Sequence, residues 1–333
     1  VSELAMQASR YAARSSPTLR ERAEHWLARL PSLPLPGSGR TLERWRALAA
    51  IAAEDVCLVK LLEAHYDALA ILAELGVPPS GTQARSMFHA VWAAEPPQAR
   101  LRFIATDGGH GMLDGRKAWC SGADLVDAAL VTAYEGDARV LVQVRMDEPG
   151  IERSGDDWQA LGMGRLYSGT VVFRQVCARR IGAPGAYLDR PGFWHGGAGI
   201  AACWFGAATA IAERLRRAPQ VGVDPHALAH LGALDIQLAA AASLLRDTAA
   251  AIDAAPEASH REAVLRVRGC VEHVATEVIE RVGRALGPAP LCADRDHAQR
   301  CADLAVFVRQ SHAERDWAAL GEAASARTRT WSL

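Results

Sequence analysis

Among its seven cysteines the chain has no C-x-x-C pair. Scattered thiols of this kind fit small, buried, inert side chains in a reducing, cytoplasmic compartment and speak against a zinc ribbon. The one histidine pair at metal-ligand spacing, His226 and His230, lacks the glutamate of H-E-x-x-H, so no metal is expected. Charge of one sign is missing too. Lys and Arg number 37 against 38 Asp and Glu, a net charge of −1, which leaves little for a nucleic-acid groove or a polyanionic partner. No continuous apolar run approaches membrane-spanning length, so no membrane insertion is expected. Arg10, Arg14, Arg20, Arg22 and Arg29 cluster early, but Glu3, Glu21 and Glu24 interrupt them, as in a solvated helix rather than a transit peptide. The tripeptide Trp331-Ser332-Leu333 does not match the peroxisomal address. Internal repeats and low-complexity tracts are absent.

Half of the 333 residues are hydrophobic, enough to bury a large core. Residues 1–30 are helical in character and end in the breaker-rich Pro31–Gly39. From Thr41, apolar residues recur at three or four as far as Leu72, which predicts one long helix stopped at Gly76-Val77-Pro78-Pro79. After about Thr82 the period shortens to two. Leu101–Ala105, Ala128–Ala133, Arg139–Val144 and Thr170–Val176 are expected strands, with turns at Gly108-Gly109, Asp114-Gly115 and Gly136-Asp137. From Pro191 the helical period returns. Breaks at Pro219–Pro225, Ala255-Pro256 and Gly287–Pro290 predict about four long helices in an antiparallel bundle. The expected fold class is α+β, with a helical domain over 1–86, a β domain over 87–184 and a helical bundle over 185–333.

Leu113–Gly122 (LDGRKAWCSG) carries the most chemistry. Asp114-Gly115 favours a hairpin turn. If the segment beyond it is extended, Trp119 and Ser121 face the same way. An indole and a hydroxyl on one face suit a flat heteroaromatic ring, with an apolar wall and one hydrogen-bond partner at its edge.

This segment resembles the L-x-G-x-K-x-W-I-[TS]-N stretch of the acyl-CoA dehydrogenase family. Trp92-Ala93-Ala94-Glu95-Pro96-Pro97 is similar to that family's T-E-P stretch. Leu161-Gly162-Met163-Gly164 with Ser168–Val176 is similar to its G-M-G…S-x-T…V-x-F-x-x-V stretch. The resemblance covers most of the chain. It implies an acyl-CoA dehydrogenase-like architecture, FAD as cofactor, an acyl-CoA or related small molecule as substrate, and a homodimer or homotetramer built through the bundle. Trp119 and Ser121 would then line the flavin ring. Ala94 stands where the family has the T-E-P hydroxyl, followed by Glu95, and Arg284 and Gly287 fall in the Q-x-x-G-G segment that approaches the flavin pyrophosphate.

The implied catalytic base does not carry over. In the family it is a glutamate eight residues after an R-D aspartate, matched here to Asp303, and the count falls on Ser311. A second family position, ten residues before a helix glycine matched to Gly206, falls on Gly196. Neither is a carboxylate. His312 and His195 each lie one residue away, and His312 is the candidate replacement because an unperturbed imidazole titrates near neutrality. Three functions follow: an FAD-dependent oxidoreductase acting on the CH–CH bond of an acyl thioester, a flavin monooxygenase of the same fold that needs no α-proton base, or a degenerate homologue kept as a binding and oligomeric scaffold.

Overall fold

The computed structural model describes residues 17–77, 87–154, 157–328 and 331. Arg10 and Arg14, the Thr82 transition and the Ser332-Leu333 end of the chain lie outside these.

Three helices open the described chain: α1 (Leu19–Arg29), α2 (Thr41–Glu54) and α3 (Val56–Glu74). The single helix expected from Thr41 is thus two. Asp55 breaks it by taking an extended conformation (φ −158°, ψ 126°), and its carboxylate accepts the Leu58 amide at 3.1 Å, capping α3. The apolar period runs unbroken through this corner, which is why periodicity alone missed it.

Seven strands follow: β1 (His89–Trp92), β2 (Leu101–Ala105), β3 (His110–Lys117), β4 (Ala128–Glu135), β5 (Ala138–Arg145), β6 (Ile151–Arg153) and β7 (Val171–Ile181). β2, β3, β7, β5 and β4 pair in that order, and β4 returns to β2, so these five strands close on themselves. β1 lies parallel beside β4, and β6 pairs with β7. Asp114-Gly115 is not a hairpin turn. It lies inside β3, where Gly115 (φ +125°) marks a register shift against β7, and the reversal falls at Gly108-Gly109 instead. β3 also stops at Lys117. Trp119 has φ +59°, and the Ser121 amide turns back to the Trp119 carbonyl, so strand alternation does not orient this pair.

Beyond a short turn, α4 (Ala186–Asp189), come three long helices, α5 (Gly192–Arg216), α6 (Pro225–Ala254) and α7 (Arg261–Leu286), separated at the expected breaks. Shorter ones follow in place of a fourth long helix: α8 (Ala289–Ala293), α9 (Arg295–Phe307) and α10 (Glu314–Ser325). α5 is the central member. Its small residues Ala198, Gly199, Ala201, Ala202, Gly206, Ala207 and Ala208 are buried, which lets α2 and α7 pack closely on it. A Cβ at Gly206 would collide with the Ala49 backbone of α2.

α6 departs from expectation in another way. It is long and apolar enough to cross a membrane, although no uninterrupted apolar run announces it, and 17% of its apolar stretch is buried. Leu228 and Ile236 are exposed on it.

Asp303 of α9 joins the helices to the sheet. Nearly fully buried, it accepts the Met163 amide at 2.5 Å, the Arg165 guanidinium at 3.0 Å and the Gln299 amide at 2.7 Å. Arg165 also makes two contacts with Asp55, at 2.6 and 3.0 Å. Asp55, Cys57 and Asp303 therefore converge with metal-like spacing, but Arg165 bridges the two carboxylates and Arg22, 2.5 Å from Asp55, supplies the second positive charge. Burial also raises the Cys57 thiol pKa well above its usual range, disfavouring the thiolate a metal would need.

Candidate functional site

The three segments singled out in the sequence meet in space. Trp92 at the end of β1 donates its indole N–H to the Ser121 carbonyl at 3.1 Å. Cys120 and Gly122 donate their amides to the Gly169 and Tyr167 carbonyls at 2.9 and 2.8 Å, and the Ser121 and Ser168 hydroxyls share a hydrogen bond of 3.0 Å. Trp119 stands out from this junction 59% exposed, with the edge of Trp158 against it, the ring centroids 6.2 Å apart. An exposed indole on a left-handed backbone beside paired hydroxyls is an unusual outlay of apolar surface and strain.

A cleft of about 290 Å³ opens on the Trp92 side of this junction. Ala93, Ala94 and Glu95 form one wall, Thr132, Arg139 and Val140 of the sheet another, and Tyr187, Leu188, His312 and Arg315 come from the helical part. The structure thus brings together Ala94, Glu95 and His312 from the sequence-derived set. Trp119 and Ser121 do not line this cleft.

Glu95 is the carboxylate of the cleft, and it is fully engaged. The Thr132 hydroxyl donates to it at 2.7 Å and the Tyr134 hydroxyl at 2.9 Å; Arg139 pairs with it at 2.8 Å and Lys117 at 3.8 Å. Burial pushes its pKa up, but the Thr132 and Tyr134 hydrogen bonds, with the charges of Lys117 and Arg139, outweigh that and hold it below the usual range. A carboxylate so stabilised is a poor proton acceptor.

His312 is 63% exposed, with Nδ1 3.3 Å from Oδ1 of the buried Asp316. In the tautomer that donates Nδ1–H to Asp316, Nε2 is left as an acceptor at the cleft. Ser311 does not line the cleft; its hydroxyl accepts the Ala313 amide at 3.2 Å.

The remaining expected site residues lie elsewhere. His195 is buried, and its Nε2 is 2.9 Å from the Ala258 carbonyl oxygen at the α6–α7 connection. Burial lowers its pKa, and it does not line the cleft. Arg284 is exposed near the end of α7 and bonded to Glu280 at 2.7 Å, while Gly287 (φ +66°) ends that helix. Neither lines the cleft.

Two residues escaped the sequence reading. Arg268, buried on α7 over the Trp204 ring, donates to the Gly197 carbonyl at 2.8 Å and the Gln310 carbonyl at 3.1 Å. It thereby draws together the backbone beside Gly196 and beside Ser311, the two vacant base positions. Asp67 of α3 is the second. Its Oδ1 is sealed from solvent without a hydrogen-bond partner and lies 2.8 Å from where a Cβ on Gly196 would be. A second carboxylate, after Glu63, inside the amphipathic stretch Leu62–Leu72 was the available signal.

No protein-family model matches the chain, and no curated protein matches it. Solved structures do. The dibenzothiophene monooxygenase TdsC of Paenibacillus sp. A11-2, bound to FMN and indole, is 21% identical with a TM-score of 0.72, over 87% of this chain and 84% of that one. Butyryl-CoA dehydrogenase of Megasphaera elsdenii is 16% identical with a TM-score of 0.72, over 85% and 82%. KijD3, bound to FMN and a dTDP-linked amino keto sugar, is 18% identical with a TM-score of 0.71, over 86% and 79%. At such identities the likeness is one of architecture, and the chain has the acyl-CoA dehydrogenase fold.

Proposed function

We propose that the protein is a flavin-dependent monooxygenase acting on a small molecule. A flavin nucleotide suits the residues present. The exposed Trp119 indole offers a wall for the ring, and the Ser121–Ser168 hydroxyl pair offers hydrogen bonds at its edge. Bound flavin would supply two-electron chemistry and reaction with oxygen. The chain's own part is to hold the ring, exclude water and orient the substrate in the cleft, with His312 Nε2 as proton acceptor or donor. The observation that carries the choice is the state of Glu95. The carboxylate at the cleft has two hydroxyl donors and the Arg139 guanidinium, with the Lys117 ammonium 3.8 Å away, and both positions from which this fold delivers a base to an acyl thioester, Ser311 and Gly196, lack a carboxylate. Loss of a general base lowers a rate by roughly 10²–10⁴; oxygenation of an electron-rich ring or sulfur needs none. TdsC and KijD3, both solved with FMN, support FMN beside the FAD suggested by the sequence resemblance.

Asp67 favours a second reading, dehydrogenation of an acyl thioester. Its unpartnered Oδ1 beside Gly196 would take the α-proton in place of the missing glutamate. One experiment separates the two. Purified protein is titrated with FMN and with FAD, then treated anaerobically with butyryl-CoA, and in parallel reduced and exposed to oxygen with indole. Oxygenated indole without bleaching by butyryl-CoA supports the first reading. Anaerobic bleaching that is lost in Asp67→Asn supports the second, and failure to bind either flavin rejects both.

We also propose a homo-oligomer formed through α6. Leu228 and Ile236 on its outer face would be covered by a second copy, as the largely exposed apolar length of that helix requires.

A further inference from the structure

Lys117 is 1% exposed, an uncommon place for an ammonium group. It donates to the Thr132 carbonyl and the Thr132 hydroxyl oxygen, each at 2.7 Å, and lies 3.8 Å from Glu95. Taking an ammonium out of water costs several kcal/mol even after relaxation, and an apolar residue of like volume usually serves packing as well or better. Packing alone therefore does not account for it.

Its position is informative. Lys117 ends β3 two residues before Trp119, and both of its side-chain partners, Glu95 and Thr132, line the cleft with Ala93 and Ala94. It thus connects the indole junction to the cleft wall from beneath. The charge balance is also lopsided. Glu95 is shared between Lys117 and Arg139, so one carboxylate faces two cations and the cluster keeps one net positive charge.

We propose that Lys117 tunes the cofactor: its ammonium is a fixed positive charge under the cleft wall that biases a bound flavin toward the reduced form. This rests on the flavin reading above. Reduced flavin carries negative charge around N1 at neutral pH, and a preorganised cation in a water-poor site stabilises such charge without reorganising. The groups facing the ammonium are Glu95 after β1, Thr132 of β4, Arg139 of β5 and the Cys120 thiol. Burial, offset in part by Glu95, brings its pKa down to about 8. The positive charge is therefore present at neutral pH and lost in mildly alkaline solution.

The test is the midpoint potential of the flavin-reconstituted protein, titrated with dithionite against a reference dye. Lys117→Met should disfavour the reduced form about tenfold, a fall of about 30 mV for a two-electron couple. Glu95→Gln removes the compensating anion and should move the potential upward. In the wild type the potential should fall more steeply with pH above about 8, and this break should vanish in Lys117→Met. Opposite shifts mark an electrostatic role, because general damage to the site would move both variants the same way. Equal or absent shifts overturn the proposal. Should Lys117→Met not fold, the Glu95→Gln shift and the wild-type pH break decide it, and the absence of both overturns it. A wild type that binds no flavin instead sinks the functional reading on which this rests.

Discussion

At the scale of single residues, Trp119 and His65 lend themselves to measurement. Trp119 holds a large apolar face in water on a backbone that non-glycine residues rarely adopt. If it is a wall for the flavin ring, its fluorescence should be quenched as FMN binds. Trp119→Ala should weaken flavin binding by about 1–3 kcal/mol, the usual worth of stacking an aromatic side chain on a base, read as a shift of the titration midpoint. His65 is buried where α3 meets β1, accepting the His89 amide at 3.2 Å on Nδ1. Burial, with the neighbouring His89 and Arg20, drops its pKa to about 3. A histidine depressed in the folded state contributes stability above its unfolded pKa and loses it as pH falls. Folding stability should therefore decline from about pH 6.5 downward, by about 2 kcal/mol at pH 5 from this group. His65→Gln should flatten that acid limb in denaturant titrations between pH 4 and 7. The residue types at the site were legible because Trp, Ser and Glu sit at recognisable spacings. Asp67 and Arg268 were not, since what singles them out is a lost hydrogen bond and a bridge between distant carbonyls.

Among elements, the α2–α3 corner depends on Asp55. The aspartate caps α3 and takes the charges of Arg22 at 2.5 Å and of Arg165. Asp55→Ala should lower unfolding free energy by about 1–3 kcal/mol, from the lost helix cap and the charge-assisted hydrogen bonds of two part-exposed arginines. Asp55→Asn keeps the cap and should lose less, and chemical denaturation of the two variants side by side checks the order. Strand and helix periods were plain in the sequence, and so were the breaks at Pro219, Pro256 and Gly287. Two local features misled. Asp114-Gly115 carries a turn dipeptide but serves a bulge, because Gly115 pairs on both sides, with Leu101 and with Phe173. β1, only four residues long, has too few positions to display a period.

For the whole molecule, the order of helices, strands and helices follows from the change of hydrophobic period along the chain. The closure of five strands does not, because pairing partners far apart in sequence leave no local mark. Nor did the outer face of α6 appear, since a helix rich in Ala and Leu looks alike whether it faces a core or a partner. If a second copy covers that face, Ile236→Glu should shift the protein to a smaller species in sedimentation equilibrium while leaving its circular dichroism unchanged.

The grip of Asp303 on Met163 and Arg165 bears on how the chain can be divided. A polypeptide stopped near residue 184 would carry the Met163 amide and the Arg165 guanidinium into a space that the missing half was meant to seal. Made alone, either piece should precipitate. Made together in one cell they should recombine into a soluble pair, because what joins them is an interior rather than a peptide bond.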